Sequence, residues 1–292
     1  MTRLSWLIAT LAMSLFGSSA AHAITCSKAA NSMERLICSD SRLRQADAAM
    51  NASYLRLLKS TGEEDIKAAL IASQRRWLAA RDSQLGRLGQ GPGSLSGPAW
   101  RAIVFKAIRD RGADLIRIDT GDTGLPRMIA MARRQRAFAA RFTGGAYAGF
   151  QTSCSFVPSG GGYVYGCFGR QHFQNRDRVC SVDQEWASGS VSETRVVERV
   201  TNGTLTKIAG CSIGNDAYGS CPNPNASGGQ HAVWTAASGT RTPPYPPLQK
   251  IDVDIDVDMA SDWLPACLTR PDYPPMPAAS SQGKKGPKKR RR

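Results

Sequence analysis

What the chain lacks narrows its chemistry first. It holds no G-x-S-x-G, no phosphate-binding G-x-x-x-x-G-K-[ST], no H-E-x-x-H and no G-x-G-x-x-G, so the common signatures of serine hydrolases, nucleotide enzymes, zinc proteases and dinucleotide folds are missing. No two cysteines stand in C-x-x-C spacing, and of three histidines only His172 and His231 lie beyond the first 23 residues. A zinc site therefore has poor support. Past that leader, no run approaches the ~20 apolar residues that a membrane helix requires.

The leader itself is legible. One cation, Arg3, precedes an apolar run from Leu4 to Phe16 and a close in Ala21-His22-Ala23, the layout of a cleavable signal peptide. Thr25 precedes Cys26 and Ala23 stands three before it, which does not fit a lipid-modified cysteine. Cleavage after Ala23 predicts a periplasmic or secreted protein. All eight cysteines, Cys26, Cys38, Cys154, Cys167, Cys180, Cys211, Cys221 and Cys267, follow that point, and in an oxidising compartment they are expected as disulfides. Two belong to the first part of the chain and six to the second, an even number in each. Spacing does not choose among the connectivities open to six.

The net charge of +15 is unevenly spread. Seven positive charges sit in the last ten residues, on Lys284, Lys285, Lys288, Lys289, Arg290, Arg291 and Arg292. Residues 24–118 carry sixteen basic and nine acidic side chains, residues 119–142 five and two, and residues 143–282 nine and twelve. A basic tail could hold anionic lipid headgroups, lipopolysaccharide or cell-wall polymers, or could simply be solvated. The leader argues against nucleic acid.

After the first cysteine the pattern is helical. Asn31 with Glu34, and Thr61 with Glu64, fit reciprocal capping boxes. A short helix over 31–38 is followed by one starting at 39–41 and ending at Gly62, with Leu43, Met50, Tyr54, Leu57 and Leu58 on one side. Ile66, Leu70, Trp77 and Leu85 share a face of the next helix, antiparallel to the last. Glycine and proline break the pattern over 86–98. Pro98 then suits the first turn of a third helix with Trp100, Ile103, Val104, Ala107 and Ile108 inward. Asp47 has Arg75, Arg76 or Arg81 as candidate partners across the helical hairpin. If Cys26 pairs with Cys38, the bridge ties the incoming chain to the end of the short helix.

The order Cys26, Ile37-Cys38, Leu43, Asp47, Met50, Tyr54, then Gln74-Arg75-Arg76-Trp77 and Arg81-Asp82 resembles the lysozyme inhibitor LprI-type N-terminal domain family. The resemblance covers about residues 26–118. It implies a small helical domain of an exported bacterial protein that occludes a partner, such as lysozyme or another cell-wall hydrolase, without catalysis or cofactor. It marks Asp47, Tyr54, Gln74, Trp77 and Arg81 as the family's structural positions. It also implies a second cysteine pair, just after the Arg-Asp and at the start of the following helix. Ser83, Gln84 and a glycine-rich loop stand there instead. The corner around Gly89 to Gly97 and the exposed polar helix faces are where a partner could dock.

Residues 119–125 read as a loop and Pro126 to Phe142 as a helix rich in arginine. Arg133, Arg134 and Arg136 could face a polyanion, or the helix could be a solvated connection. From Thr143 the period changes to two. Asn202-Gly203, between two β-rich runs, is a strong hairpin turn. Tyr147 to Phe156 and Tyr163 to Phe168 flank a glycine-rich turn, and Cys154 with Cys167 could staple that hairpin. Ile251 to Met259 alternates perfectly, predicting a strand with Ile251, Val253, Ile255, Val257 and Met259 inward and Asp252, Asp254, Asp256 and Asp258 outward as a charged edge. A calcium loop starting at Asp252 fails, because Val257 and Trp263 occupy the positions needing Gly and Glu.

Catalytic alternatives are weak. His172 with Cys167 or Cys180 could act as a nucleophile pair only if those thiols were unpaired, and Glu185 with Glu193, or Asp177 with Asp183, are carboxylate pairs that any such domain offers. The expected fold is α+β: a small helical domain (an antiparallel helical hairpin plus a third helix, with one disulfide) followed by a disulfide-rich, mainly β domain. The expected layout is a signal peptide over 1–23, the helical domain over 24–118, a basic helical linker over 119–142, the β domain over 143–270, and a disordered Pro-rich, basic tail over 271–292. The expected function is a non-catalytic, inhibitor-like binding protein. The alternative is polyanion binding through the arginine-rich helix and tail, and a hydrolase in the β half is a third reading.

Overall fold

The computed structural model describes residues 24–121, 124–187, 189–214, 217–221, 233–241, 248–255 and 262–275. The leader, the tail cations Lys284 to Arg292, and Asp256 to Met259 of the alternating run lie outside the described residues.

Six helices are present among them: α1 (Ser32–Ser39), α2 (Ser41–Lys59), α3 (Glu64–Ala80), α4 (Gly97–Ile116), α5 (Arg127–Ala139) and, near the end, α6 (Trp263–Thr269). Asn31 caps α1, accepting from the Glu34 amide at 2.8 Å, while the Glu34 carboxylate reaches the amide of Ala30. Asp40 caps α2. Thr61 does not cap α3 as expected. Its Oγ1 accepts from Glu63 N, so the side chain shapes the turn before the helix rather than its first amides. The disulfide Cys26–Cys38 ties the incoming chain to α1. Gly112 of α4 faces Met50 of α2, where a Cβ would sit in ordinary contact at 3.6 Å.

The second half is a sheet in sequence order. β1 (Gly149–Ser159), β2 (Gly162–Asn175), β3 (Arg178–Ala187), β4 (Ser190–Thr201) and β5 (Thr204–Ile213) form an antiparallel meander, with the two-residue strands β6 (Gly219–Ser220), β7 (Thr235–Ala236) and β8 (Thr240–Arg241) along β5. Asn202 and Gly203 take φ of 50° and 71°, and Gly160 and Gly161 take 55° and 78°. Both are two-residue turns that need left-handed backbone twice, which is why glycine and asparagine stand there. Cys154 faces Cys167 across β1 and β2 and is bonded to it. Cys180–Cys267 joins β3 to α6, and Cys211–Cys221 closes the end of β5. The fold is α+β, a helical region with one disulfide followed by a sheet region with three.

β2 pairs with β1 from Gly162 to His172 and with β3 only from Gly169 onward. The outer half of the β1–β2 hairpin therefore leaves the sheet and lies on the helices, where Phe156 meets Trp77 edge-on at 6.4 Å. Phe156 shares one core with α2, α3, α4 and α5. A second core under the sheet joins Phe150, Phe173, Cys180 and Val197 to Phe138 of α5 and Leu264 of α6.

The strand expected from Ile251 is overturned. Residues 251–255 form no strand, and Asp252 and Asp254 point inward with Ile251, Val253 and Ile255. Both faces of this segment are buried because α5 and α3 supply its polar partners. Gln135 donates to the carbonyls of Asp252 and Ile255 and accepts from Asp252 N. Arg76 of α3 donates to Asp252 Oδ1 at 2.8 Å and to Asp254 Oδ2 at 2.7 Å, and Ser73 Oγ donates to Asp254 Oδ1 at 2.6 Å. Burial raises the Asp252 carboxyl above its ordinary range, against the pull of Arg76.

Removing the guanidinium strands two carboxylates in a core. Arg76→Met is expected to lower full-chain stability by roughly 3–5 kcal/mol, read as a drop in the urea midpoint at pH 7. Adding Asp252→Asn and Asp254→Asn should recover much of that loss; a triple variant no better than Arg76→Met would show that the pairing is not what holds the segment.

Candidate functional site

Asp47, Tyr54, Gln74, Trp77 and Arg81 are all buried in the helical part. Asp47 of α2 is 4% exposed. It accepts from Arg81 Nη1 and from Ile24 N, each at 3.3 Å, while Arg81 Nε donates to Asp82 Oδ1 at 2.7 Å. Asp82 in turn accepts from Asn31, closing the seam onto the α1 cap. The Arg81 guanidinium lies 5.4 Å from the Trp77 ring centre, a cation over an aromatic face. Gln74 accepts from Arg111 Nε at 3.1 Å. Tyr54 is buried, and burial raises its phenol above the ordinary range. All five are turned away from solvent. They fix how α2, α3 and α4 meet, and Arg81 is the partner that Asp47 takes.

What they hold in place is a corner. After α3 the chain makes one π-helical turn (Arg81–Leu85) and one 3₁₀ turn (Gly86–Gly89), then an exposed loop from Gln90 to α4. Trp100 Nε1 donates to Leu85 O at 2.7 Å, and a Cβ on Gly89 would come within 2.3 Å of the Trp100 ring. Gln84 Oε1 accepts from Phe156 N, anchoring the corner to β1. The loop closes on itself through Leu95 N to Leu88 O, and positive φ at Gly91 and Gly93 shapes its turn. Leu95 is exposed there.

Residues 26–115 match the family model described as Lysozyme inhibitor LprI. This stretch is thus an LprI lysozyme inhibitor domain, of a non-catalytic family, and the remainder of the chain is unassigned. Neither curated proteins nor solved structures give a match to the chain. The four disulfides agree with an extracytoplasmic setting, and no helix among the described residues is long and apolar enough to cross a membrane.

The arginines considered for polyanions are engaged with carboxylates. Arg133 Nε donates to Glu63 at 2.8 Å, Arg136 bonds Glu63 and Asp65, and Arg134 bonds Asp119. Cys167 and Cys180 are both in disulfides, so His172 has no thiol to activate. Cys154, Cys167 and Asp254 lie within metal-ligating distance of one another, but the two sulfurs are bonded together and offer no thiolate.

Beyond the LprI domain, the sheet carries a polar chain that sequence reasoning missed. His172 Nδ1 and Ser181 Oγ are 2.6 Å apart on directly opposed residues of β2 and β3; Ser181 donates to Glu198 Oε2 at 3.3 Å, and Arg241 Nη2 donates to Glu198 Oε1 at 2.7 Å. A Ser-His-acid triad needs the imidazole between the hydroxyl and the acid. Here the serine is in the middle, and the acid is engaged by arginine. The register of β2 against β3 was the signal that could have revealed this group.

Burial, then the charges of Arg241 and Arg170, lower the His172 pKa to about 4. The folded protein refuses a proton that the unfolded chain accepts near pH 6.5. The stabilisation is whole above that pH and is lost as pH falls from about 6.5 to about 4, by roughly 3 kcal/mol. His172→Gln should flatten this part of the stability profile, measured by urea unfolding at pH 7, 5.5 and 4. Parallel profiles for the two proteins would place the titration elsewhere.

Proposed function

We propose that the chain is an exported binding protein that inhibits lysozyme, or another hydrolase of cell-wall glycan, by covering its surface. The family match over residues 26–115 carries this reading. The buried pattern side chains support it indirectly: Asp47, Gln74, Trp77 and Arg81 are consumed in scaffolding, which leaves the exposed corner as the part free to meet a partner. A loop with a fixed base and an exposed apolar tip suits insertion into a cleft, because little ordering remains to be done on contact. The signal peptide over 1–23 and the layout 24–118, 119–142, 143–270 and 271–292 belong to the same proposal. A second reading, polyanion binding through the tail and Arg133, Arg134 and Arg136, stays open, since each of the three is partly exposed while it pairs with a carboxylate.

The test is the lytic rate of purified lysozyme in the presence of the mature full chain. A stoichiometric fall in rate at micromolar protein is expected, and Leu95→Asp should raise the inhibitory concentration at least about tenfold, some 1.4 kcal/mol. An unchanged rate with lysozyme and with other muramidases overturns the inhibitor reading. Inhibition that Leu95→Asp leaves intact moves the contact away from the corner.

A further inference from the structure

One face of the sheet is spent on the cores, and the opposite face is a groove. The register puts Gln151, Arg170, Asp183, Thr194 and Ser212 in one row across β1 to β5, with His172, Ser181 and Val196 in the neighbouring row. Where the β1–β2 and β3–β4 hairpins diverge, a notch of about 580 Å³ opens beside Phe168, Arg170, Asp183 and Glu185. A second depression of about 520 Å³ shares Arg170, Asp183 and Glu185, and continues over His172, Ser181 and Glu198 to Tyr218 and Arg241. Five strands at their usual spacing span about 19 Å, room for a chain of several sugar rings.

We propose that this groove binds a neutral oligosaccharide, the ring of Phe168 stacking on a sugar face at one end and that of Tyr218 at the other. The charge balance selects the class. Arg170, Lys207 and Arg241 are matched by Asp183, Glu185 and Glu198, so neither a polyanion nor a polycation gains from entering. A sugar hydroxyl both donates and accepts, and it suits a surface where guanidinium and carboxylate stand side by side. The contact from Arg170 Nε to Asp183 Oδ2, at 2.5 Å, uses one donor and one acceptor of two groups that carry more. Aromatic rings with a few fixed polar groups are the usual make-up of a small-ligand site, and flat rings add area at little entropic cost.

The site lies outside the LprI domain, so its test is independent of lysozyme inhibition. The full chain is titrated calorimetrically with chitohexaose, cellohexaose and maltohexaose, and with a sulfated hexasaccharide as the anionic control. Saturable binding of at least one neutral hexasaccharide is expected, weakened about tenfold or more by Phe168→Ala and by Arg170→Gln, with circular dichroism confirming the fold. If Phe168→Ala does not fold, Arg170→Gln decides. Which sugar binds separates an N-acetylated amino-sugar chain from a glucan. No saturation with any neutral sugar at about 1 mM, binding indifferent to the substitutions, or tighter binding of the sulfated sugar overturns the proposal.

Discussion

Arg76 holds together parts of the chain that sequence keeps far apart. Its guanidinium takes Asp252 and Asp254, 176 and 178 positions away, and a buried carboxylate robbed of its cation costs several kcal/mol. With residues 251–255 pinned to α3, Gln249, two residues upstream, pairs with Phe150 through both backbone bonds, and β1 is brought down beside the helices. Phe156 then reaches Trp77, and Tyr165 joins the same core. One ion cluster thus sets how the sheet sits against the LprI domain. Arg111 reinforces it through Ser73, its Nη2 donating to Ser73 Oγ at 2.7 Å, so α4 feels the same cluster as α3.

This placement decides what the sheet has left to offer. Alternate residues of β1 and β2 go to the cores, and the intervening ones, Gln151, Ser153, Phe168 and Arg170, face out with the polar residues of β3 and β4. A sheet with one face covered has to satisfy its open face with water or with its own charges. Arg170 with Asp183, and Arg241 with Glu198, pair across that face. The hairpin that bends away to meet the helices also opens the notch beside β3. The same pinning that joins the two regions therefore makes the groove.

Local features of the fold were legible, and features set by distant partners were not. Asn31 and Glu34 announce a helix start because capping needs only neighbours, and Asn202-Gly203 announces its turn because the left-handed backbone is a property of those two residues. The match of Cys154 with Cys167 followed from a hairpin that could be counted. Alternation from Ile251 misled because a period of two says which side chains share a face, not whether water lies beyond it; the arginine that made the acidic side an inside was on α3. Cys180–Cys267 spans 87 positions and depends on where α6 packs. His172, Ser181 and Glu198 stand on three strands, so only the register assembles them.

The corner after α3 is held by packing and hydrogen bonds rather than by a crosslink. A disulfide works largely by limiting the unfolded chain, whereas the Trp100 indole acts only once α4 is in place, through its bond to Leu85 and its contact with Gly89. The side chain at Gly89 must be absent for the ring to fit, which couples a loop glycine to a helix aromatic. Gln84 adds a link to β1 that a cysteine at that position would not provide. The base of the corner is accordingly tied to α4 and to the sheet at once. Movement of either region would be transmitted to the loop, and a partner that grips Leu95 would act on the whole molecule rather than on a loose strand.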